Sequence, residues 1–94
     1  MHLEIVTPES KVFTGEAVSV QLPGTEGLFQ VLNNHAAIIS TLDKGSVKIE
    51  FPTAQDVKKI NKHLKLDASK KIATFEIGGG VVEMLNNKLI ILAD

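Results

Sequence analysis

Ninety-four residues, 44% of them hydrophobic, with no cysteine and a net charge of -1, allow one domain with one core and exclude a disulfide framework or a thiolate metal site. All ten basic residues are lysines, so the bidentate fork that phosphate and guanine recognition favour is missing, and nucleic-acid binding is not expected. The longest apolar run, Leu89 to Ala93, is too short to span a bilayer, and no continuous apolar leader follows Met1, so a soluble chain is expected.

In chain order, Leu3, Ile5 and Thr7 alternate with Glu4 and Val6 until Pro8, Glu9 and Ser10 end a first strand. Val12 and Phe13 start a second. After Gly15, Val18, Val20 and Leu22 are set to one side with Ser19 and Gln21 on the other, the period of a sheet with one wet face. The stretch from Leu22 to Leu42 organises the rest. Pro23 fixes φ, Gly24 and Gly27 can take φ > 0, and Asn33 and Asn34 tolerate left-handed conformations, so Leu28 to Leu32 reads as a strand between two turns. Those turns leave Thr25, Glu26 and His35 exposed, which makes them either a partner-binding edge or simply solvated turn residues. Ala36 to Leu42 is mostly apolar without clear alternation and predicts a strand near the middle of the domain, with a bend at Ser40 and Thr41, and Asp43-Lys44-Gly45 reads as a turn.

Val47, Ile49 and Phe51 then alternate with Lys48 and Glu50 before Pro52 stops the strand. Residues 53–69 form an excursion with two readings: Val57, Ile60 and Leu64 have helical spacing, whereas Leu64 and Leu66 around Lys65 suit a long hairpin arm, the preferred form. From Asp56 to Lys71 six lysines stand against two aspartates, a local charge of +4 that leaves -5 for the remainder. Ala73, Phe75 and Ile77 resume a strand, Gly78, Gly79 and Gly80 predict a sharp bend where another backbone comes close, and Val81 to Ala93 folds back at Asn86 and Asn87 as a hairpin with a primed turn. Eight to ten short strands in one domain, residues 1–94, predict an all-β antiparallel sandwich.

Catalytic chemistry is poorly supplied. His2, His35 and His63 have no metal-ligand spacing, none of the five serines sits in a nucleophile elbow, and the triple glycine is not followed by the Lys-Ser/Thr of a phosphate loop. No acid/base pair of carboxylates is marked, and four phenylalanines are the only aromatics. Neither catalysis, a metal nor a cofactor is expected.

Three stretches in order carry a resemblance. The opening LEIVTPESKVFTGEAVSV, the string LPGTEGLFQVLNNHA from Leu22 to Ala36, and the close GGGVVEMLNNKLIILAD from Gly78 to Asp94 together resemble the epsilon-subunit family of rotary proton-translocating ATP synthases, over nearly the whole chain. The excursion at 53–69 is longer than the family's usual hairpin.

The resemblance implies a β-sandwich of about ten strands and a non-catalytic rotor component of the central stalk. Such a subunit binds gamma and rests on the polar loops of the c-ring, so it reaches the cytoplasmic face of a bacterial inner membrane only through the complex. His35 matches the family's loop histidine near the gamma contact; Gly24, Glu26 and Gly27 match the turn that approaches the ring. Leu28 stands where an acidic residue often follows, Asn33 replaces the usual loop proline, and Ala37 replaces the proline after H-A, so a less rigid loop is expected. Because the sequence stops at Asp94, where relatives commonly continue into a helical hairpin, the expectation is a coupling subunit that neither inhibits hydrolysis through such an arm nor binds ATP. A free-standing sandwich adaptor that grips an acidic partner or nucleic acid through Lys58 to Lys71 is the rival reading, and a small hydrolase with a polar pocket is a third.

Overall fold

The computed structural model describes all residues from Met1 to Asp94. Ten strands and no helix make up the chain: β1 (His2–Val6), β2 (Lys11–Glu16), β3 (Ser19–Gly24), β4 (Gly27–Leu32), β5 (Ile38–Leu42), β6 (Gly45–Glu50), β7 (Lys65–Leu66), β8 (Ile72–Ile77), β9 (Gly80–Leu85) and β10 (Lys88–Ala93). The expected all-β sandwich is the fold observed. One pairing departs from the antiparallel pattern, since β1 runs parallel to β10.

The strands follow one another in the order β2-β1-β10-β9-β5-β3-β6-β8-β7, with β4 added to β3. At one place this sheet is barely continuous: β5 meets β3 through the single pair Gly24 and Leu42. There the sheet curls over, so that β2-β1-β10-β9-β5 and β4-β3-β6-β8-β7 form the two halves of a sandwich. Alternation supplies the inward faces, with Leu3 and Ile5, Val20 and Leu22, Val47 and Ile49, Ala73, Phe75 and Ile77, Val82 and Met84, and Leu89 and Ile91 all buried. A single cluster of 21 buried apolar residues joins both halves, so neither half has a core of its own.

Two expectations about facing are corrected. Val18 does not share the inward face of Val20 and Leu22; it lies ahead of β3 and is 42% exposed, while Ser19 is buried and donates to Glu50 Oε1 at 3.3 Å. Ser40 and Thr41 carry no bend, because both remain in the ladder with β9, and the chain turns where the second signal lies, at Asp43 and Lys44 between β5 and β6.

The side of the sandwich opposite the β5–β3 junction is covered by the excursion. Leu64 is 4% exposed, Ile60 and Leu66 pack on the core, and His63 shares a groove with Val12 of β2 and Phe75 of β8. Beside them the rings of Phe13 and Phe51 lie 5.2 Å apart. Neither of the two forms read from the sequence is adopted. The helical spacing yields one turn, in which the amides of Lys59 and Ile60 both donate to Asp56 O at 3.0 Å, and the hairpin shrinks to the two residues of β7. Local side-chain bonds compete with regular structure here: Asp56 Oδ1 accepts from the Lys58 amide at 2.9 Å, Asn61 Oδ1 from the His63 amide at 2.9 Å, and Ser69 Oγ from the Lys71 amide at 3.1 Å.

Gly79 and Gly80 make the bend between β8 and β9, with φ of 142° and 155°. A Cβ on Gly80 would run into the carbonyl oxygen of Leu92, and one on Gly79 would come within 3.3 Å of Leu42 O. Gly78 is different. A Cβ there meets nothing within 4 Å and its φ is not positive, so the close-approach argument made for all three glycines holds for the last two alone.

Candidate functional site

The hairpin β3–β4 sets the geometry. Thr25 and Glu26 form its tip between the paired Gly24 and Gly27, and Gly27 carries φ of 126°. Gly24 is needed for packing, since a Cβ there would lie 2.8 Å from Phe29 Cε1 and 2.9 Å from Gly27 O. The tip is tied sideways to β5, where Thr25 Oγ1 lies 3.2 Å from Thr41 Oγ1 and the Asp43 amide donates to Pro23 O at 2.8 Å. Leu28, 68% exposed, and Ile39, 75% exposed, line one open groove of about 620 Å³ with Phe29, Ser40 and Thr41. Glu26, Gly27 and Leu28 therefore share one open groove, with the buried Gly24 among the residues that line it.

His35 does not belong to that surface. It stands beyond the other end of β4, and the five steps from Gly27 to Leu32 cover roughly 17 Å at 3.4 Å per residue. Its amide donates to Leu32 O at 3.1 Å, closing a turn whose third residue, Asn34, has φ of 62°. The ring is exposed, with Nδ1–H donating to Ala36 O at 2.8 Å. The expected looseness of this loop is not what the contacts suggest: Asn33 Oδ1 accepts from the Met1 nitrogen at 2.6 Å and from Asn87 Nδ2 at 3.1 Å.

Two residues near these turns have settings that the sequence alone does not show. Ile39 was placed in an apolar run that looked buried, yet β5 has alternating exposure and Ile39 faces out beside Glu83 of β9. Asn87 was read as a turn residue only; the signal was its doubled-asparagine partner Asn33-Asn34, since Asn34, Asn86 and Asn87 all take positive φ.

Charge is distributed unequally over the surface. His2 lies between Glu4 and Glu16, each 3.6 Å away, and Lys88 pairs with Glu4 at 3.7 Å. No other lysine is within ion-pair reach of a carboxylate, so the six lysines between Asp56 and Lys71 are unneutralised. Asp67 is held below its ordinary value of 3.8, first by the hydrogen bond from Ser69 Oγ at 2.6 Å; desolvation opposes this, and the backbone amides of Ile72, Lys70 and Ser69 add to it. No group of three His, Asp or Glu is placed to hold a metal ion.

Comparison with known proteins gives a consistent result. A family model described as ATP synthase, Delta/Epsilon chain, beta-sandwich domain matches residues 1–94. The chain is 40% identical over 94 residues to the ATP synthase epsilon chain of Campylobacter concisus, covering 100% of this chain and 60% of that protein. To the ATP synthase epsilon chain of Chlorobium limicola it is 34% identical over 92 residues, 98% of this chain and 86% of that one. The chain thus spans about 60% of the length of the Campylobacter relatives. Among solved structures, it is similar to a chain in the central stalk and c-ring of the Tetrahymena thermophila mitochondrial ATP synthase, with a TM-score of 0.74 at 19% identity over 98% of this chain and 61% of that one, a likeness of fold.

Proposed function

We infer the role of this chain from the family to which it belongs, the ATP synthase delta/epsilon chains, whose beta-sandwich domain it matches over residues 1–94. It acts as a non-catalytic subunit of the central stalk of a proton-translocating rotary synthase, passing c-ring rotation to the catalytic head through gamma. Its membrane association, at the cytoplasmic face of a bacterial inner membrane, comes through the complex.

One observation supports this reading above the rest: the two exposed turns occupy opposite ends of a single strand, β4. The Thr25–Glu26 tip with Leu28 serves as the surface for the ring, and the His35 turn as the surface for gamma. A torque-bearing spacer needs two separated contact surfaces and stiff material between them, and the shared core and ladders supply the stiffness. Leu28 replaces an acidic contact, so the ring-side interaction at that position is apolar.

The test uses binding of the purified chain to gamma and, separately, to detergent-solubilised c-ring. Glu26→Ala with Leu28→Ser is expected to weaken ring binding about tenfold and leave gamma binding unchanged, with His35→Ala showing the reverse. If both substitutions weaken the same partner, or neither matters, the two-ended reading is wrong. The unneutralised lysines favour one other reading, capture of an acidic partner through Lys58 to Lys71. A complex of that kind should weaken steeply between low and moderate salt and on Lys→Gln replacement at 58, 59 and 62, whereas the stalk complexes should withstand both.

A further inference from the structure

Residues from three distant parts of the chain meet next to His35. Asn87 Nδ2 donates to Asn33 Oδ1 at 3.1 Å, and Asn87 Oδ1 accepts from the Asn34 amide at 2.8 Å, so one carboxamide engages the turn with both its ends. The Met1 nitrogen donates to the same Asn33 oxygen at 2.6 Å, and the His2 amide donates to Asn87 O at 3.0 Å. Asn87 itself is anchored. It sits at φ of 59° in the two-residue turn of the β9–β10 hairpin, flanked by the pair Leu85 and Lys88, and both strands are interior members of the sheet.

The turn it grips has a specific weakness. A hydrogen bond from His35 N to Leu32 O with positive φ at Asn34 is the signature of a type II turn, whose second position, here Asn33, favours proline because the ring presets φ. Asparagine leaves that torsion free. The restraint has to come from outside the turn, and the Asn87 carboxamide is placed to supply it.

We propose that Asn87 is a positioning residue for the His35 turn, holding Asn33 and the Asn34 amide so that His35 is presented in one direction, as a proline at position 33 would do covalently. The inference rests on the reading of the His35 turn as the gamma-facing surface. It makes the β9–β10 hairpin tip part of that surface's construction without a contact of its own to the partner.

A double-mutant cycle on the whole chain tests it. Asn87→Gly removes the carboxamide while keeping the left-handed backbone accessible. Asn33→Pro costs the Asn33 amide no hydrogen bond, since that amide has no acceptor in the chain, and removes the Oδ1 that accepts from Met1 and Asn87. Alone, Asn87→Gly is expected to speed hydrogen exchange of the His35 amide about three- to tenfold and to weaken gamma binding by a similar factor, the range for exposed hydrogen bonds of this kind. In the Asn33→Pro background, where the ring sets the torsion and only the bond to the Asn34 amide is left to lose, the same substitution should have a markedly smaller effect on both quantities. Unaltered His35 exchange in Asn87→Gly overturns the proposal, as does an equal loss in both backgrounds, which would place the effect in the hairpin as a whole. Exchange that follows the cycle while gamma affinity stays constant upholds the positioning and rejects the gamma-facing reading of His35.

Discussion

The Gly78–Gly79 joint and the strap at residues 51–64 hold the two halves of the sandwich together by opposite means: the joint takes the chain from one half to the other, whereas the strap leaves and re-enters the same half, between β6 and β7, and reaches the other by packing, as where His63 shares a groove with Val12 of β2. The joint carries the chain from β8 to β9 in two residues, with backbone against backbone: the Asp94 amide donates to Gly79 O at 3.0 Å, and Leu42 O lies 3.3 Å from where a Cβ on Gly79 would stand. The strap is long and is held by separate anchors, with Leu64 seated in the core, Ile60 against it, and turns between them closed by side-chain oxygens. A bridge made by backbone geometry tolerates no added atom at its contact points. A bridge made of anchors loses one at a time and can settle around the gap.

The largest effect should come from the joint. Gly80→Val is expected to lower stability by about 3 kcal/mol, combining a left-handed φ that a β-branched residue resists with the collision at Leu92 O. Gly79→Val should cost about 1 to 3 kcal/mol, and Gly78→Val, in open space, less than about 0.5 kcal/mol. Urea unfolding of the three variants checks the order. Equal losses at all three positions would mean that the joint is sensitive for some reason other than close approach.

A middle-sized effect is expected in the strap. Leu64→Ala should cost about 2 kcal/mol, at the low end for a buried leucine because a segment without ladder partners can partly close the cavity. Its distinguishing sign is local: amides of residues 56–66 should lose exchange protection before those of β9 and β10. Loss of protection throughout the sheet at the same midpoint would show that the strap is an integral part of the fold, not a separable cover.

The smallest effect concerns acid. Asp67 has a depressed folded pKa, so its hydrogen bonds contribute stability at pH values above its unfolded value, and that contribution fades as the pH falls through the folded one. In wild type, protection of the Lys70 and Lys71 amides should therefore decline as the pH drops below the ordinary carboxylate range, while Asp67→Ala shows little protection at any pH. A pH-independent difference between the two proteins would assign the turn to Ser69 and the backbone instead.

Much of this fold was legible because strand alternation is a local signal. The runs around Val47 to Phe51 and Ala73 to Ile77, and the Asn86-Asn87 turn, appear in the structure as read, and the ordered motifs at Leu22 to Ala36 and Gly78 to Asp94 led to the family that the comparisons show. Where local chemistry was mixed the reading failed. In the strap, turn-forming side chains and anchoring leucines alternate within a few residues, and neither a helix nor a long hairpin satisfies both.

By itself, then, the sequence determined the period of most strands, the turns at Thr25-Glu26 and Asn86-Asn87, and the family. The tertiary structure decided which of two similar residues matters: Gly80 but not Gly78, Val20 but not Val18, Ile39 exposed and Leu42 buried. It also decided that the two ends of β4 are separate surfaces, and that Asn33 meets Asn87 across 54 residues of chain. The physical reason is that a period of two tells only that the faces of a strand differ. Which face is covered, and which side chains meet, depends on register between strands distant in sequence, and register is set by the packing of both halves at once.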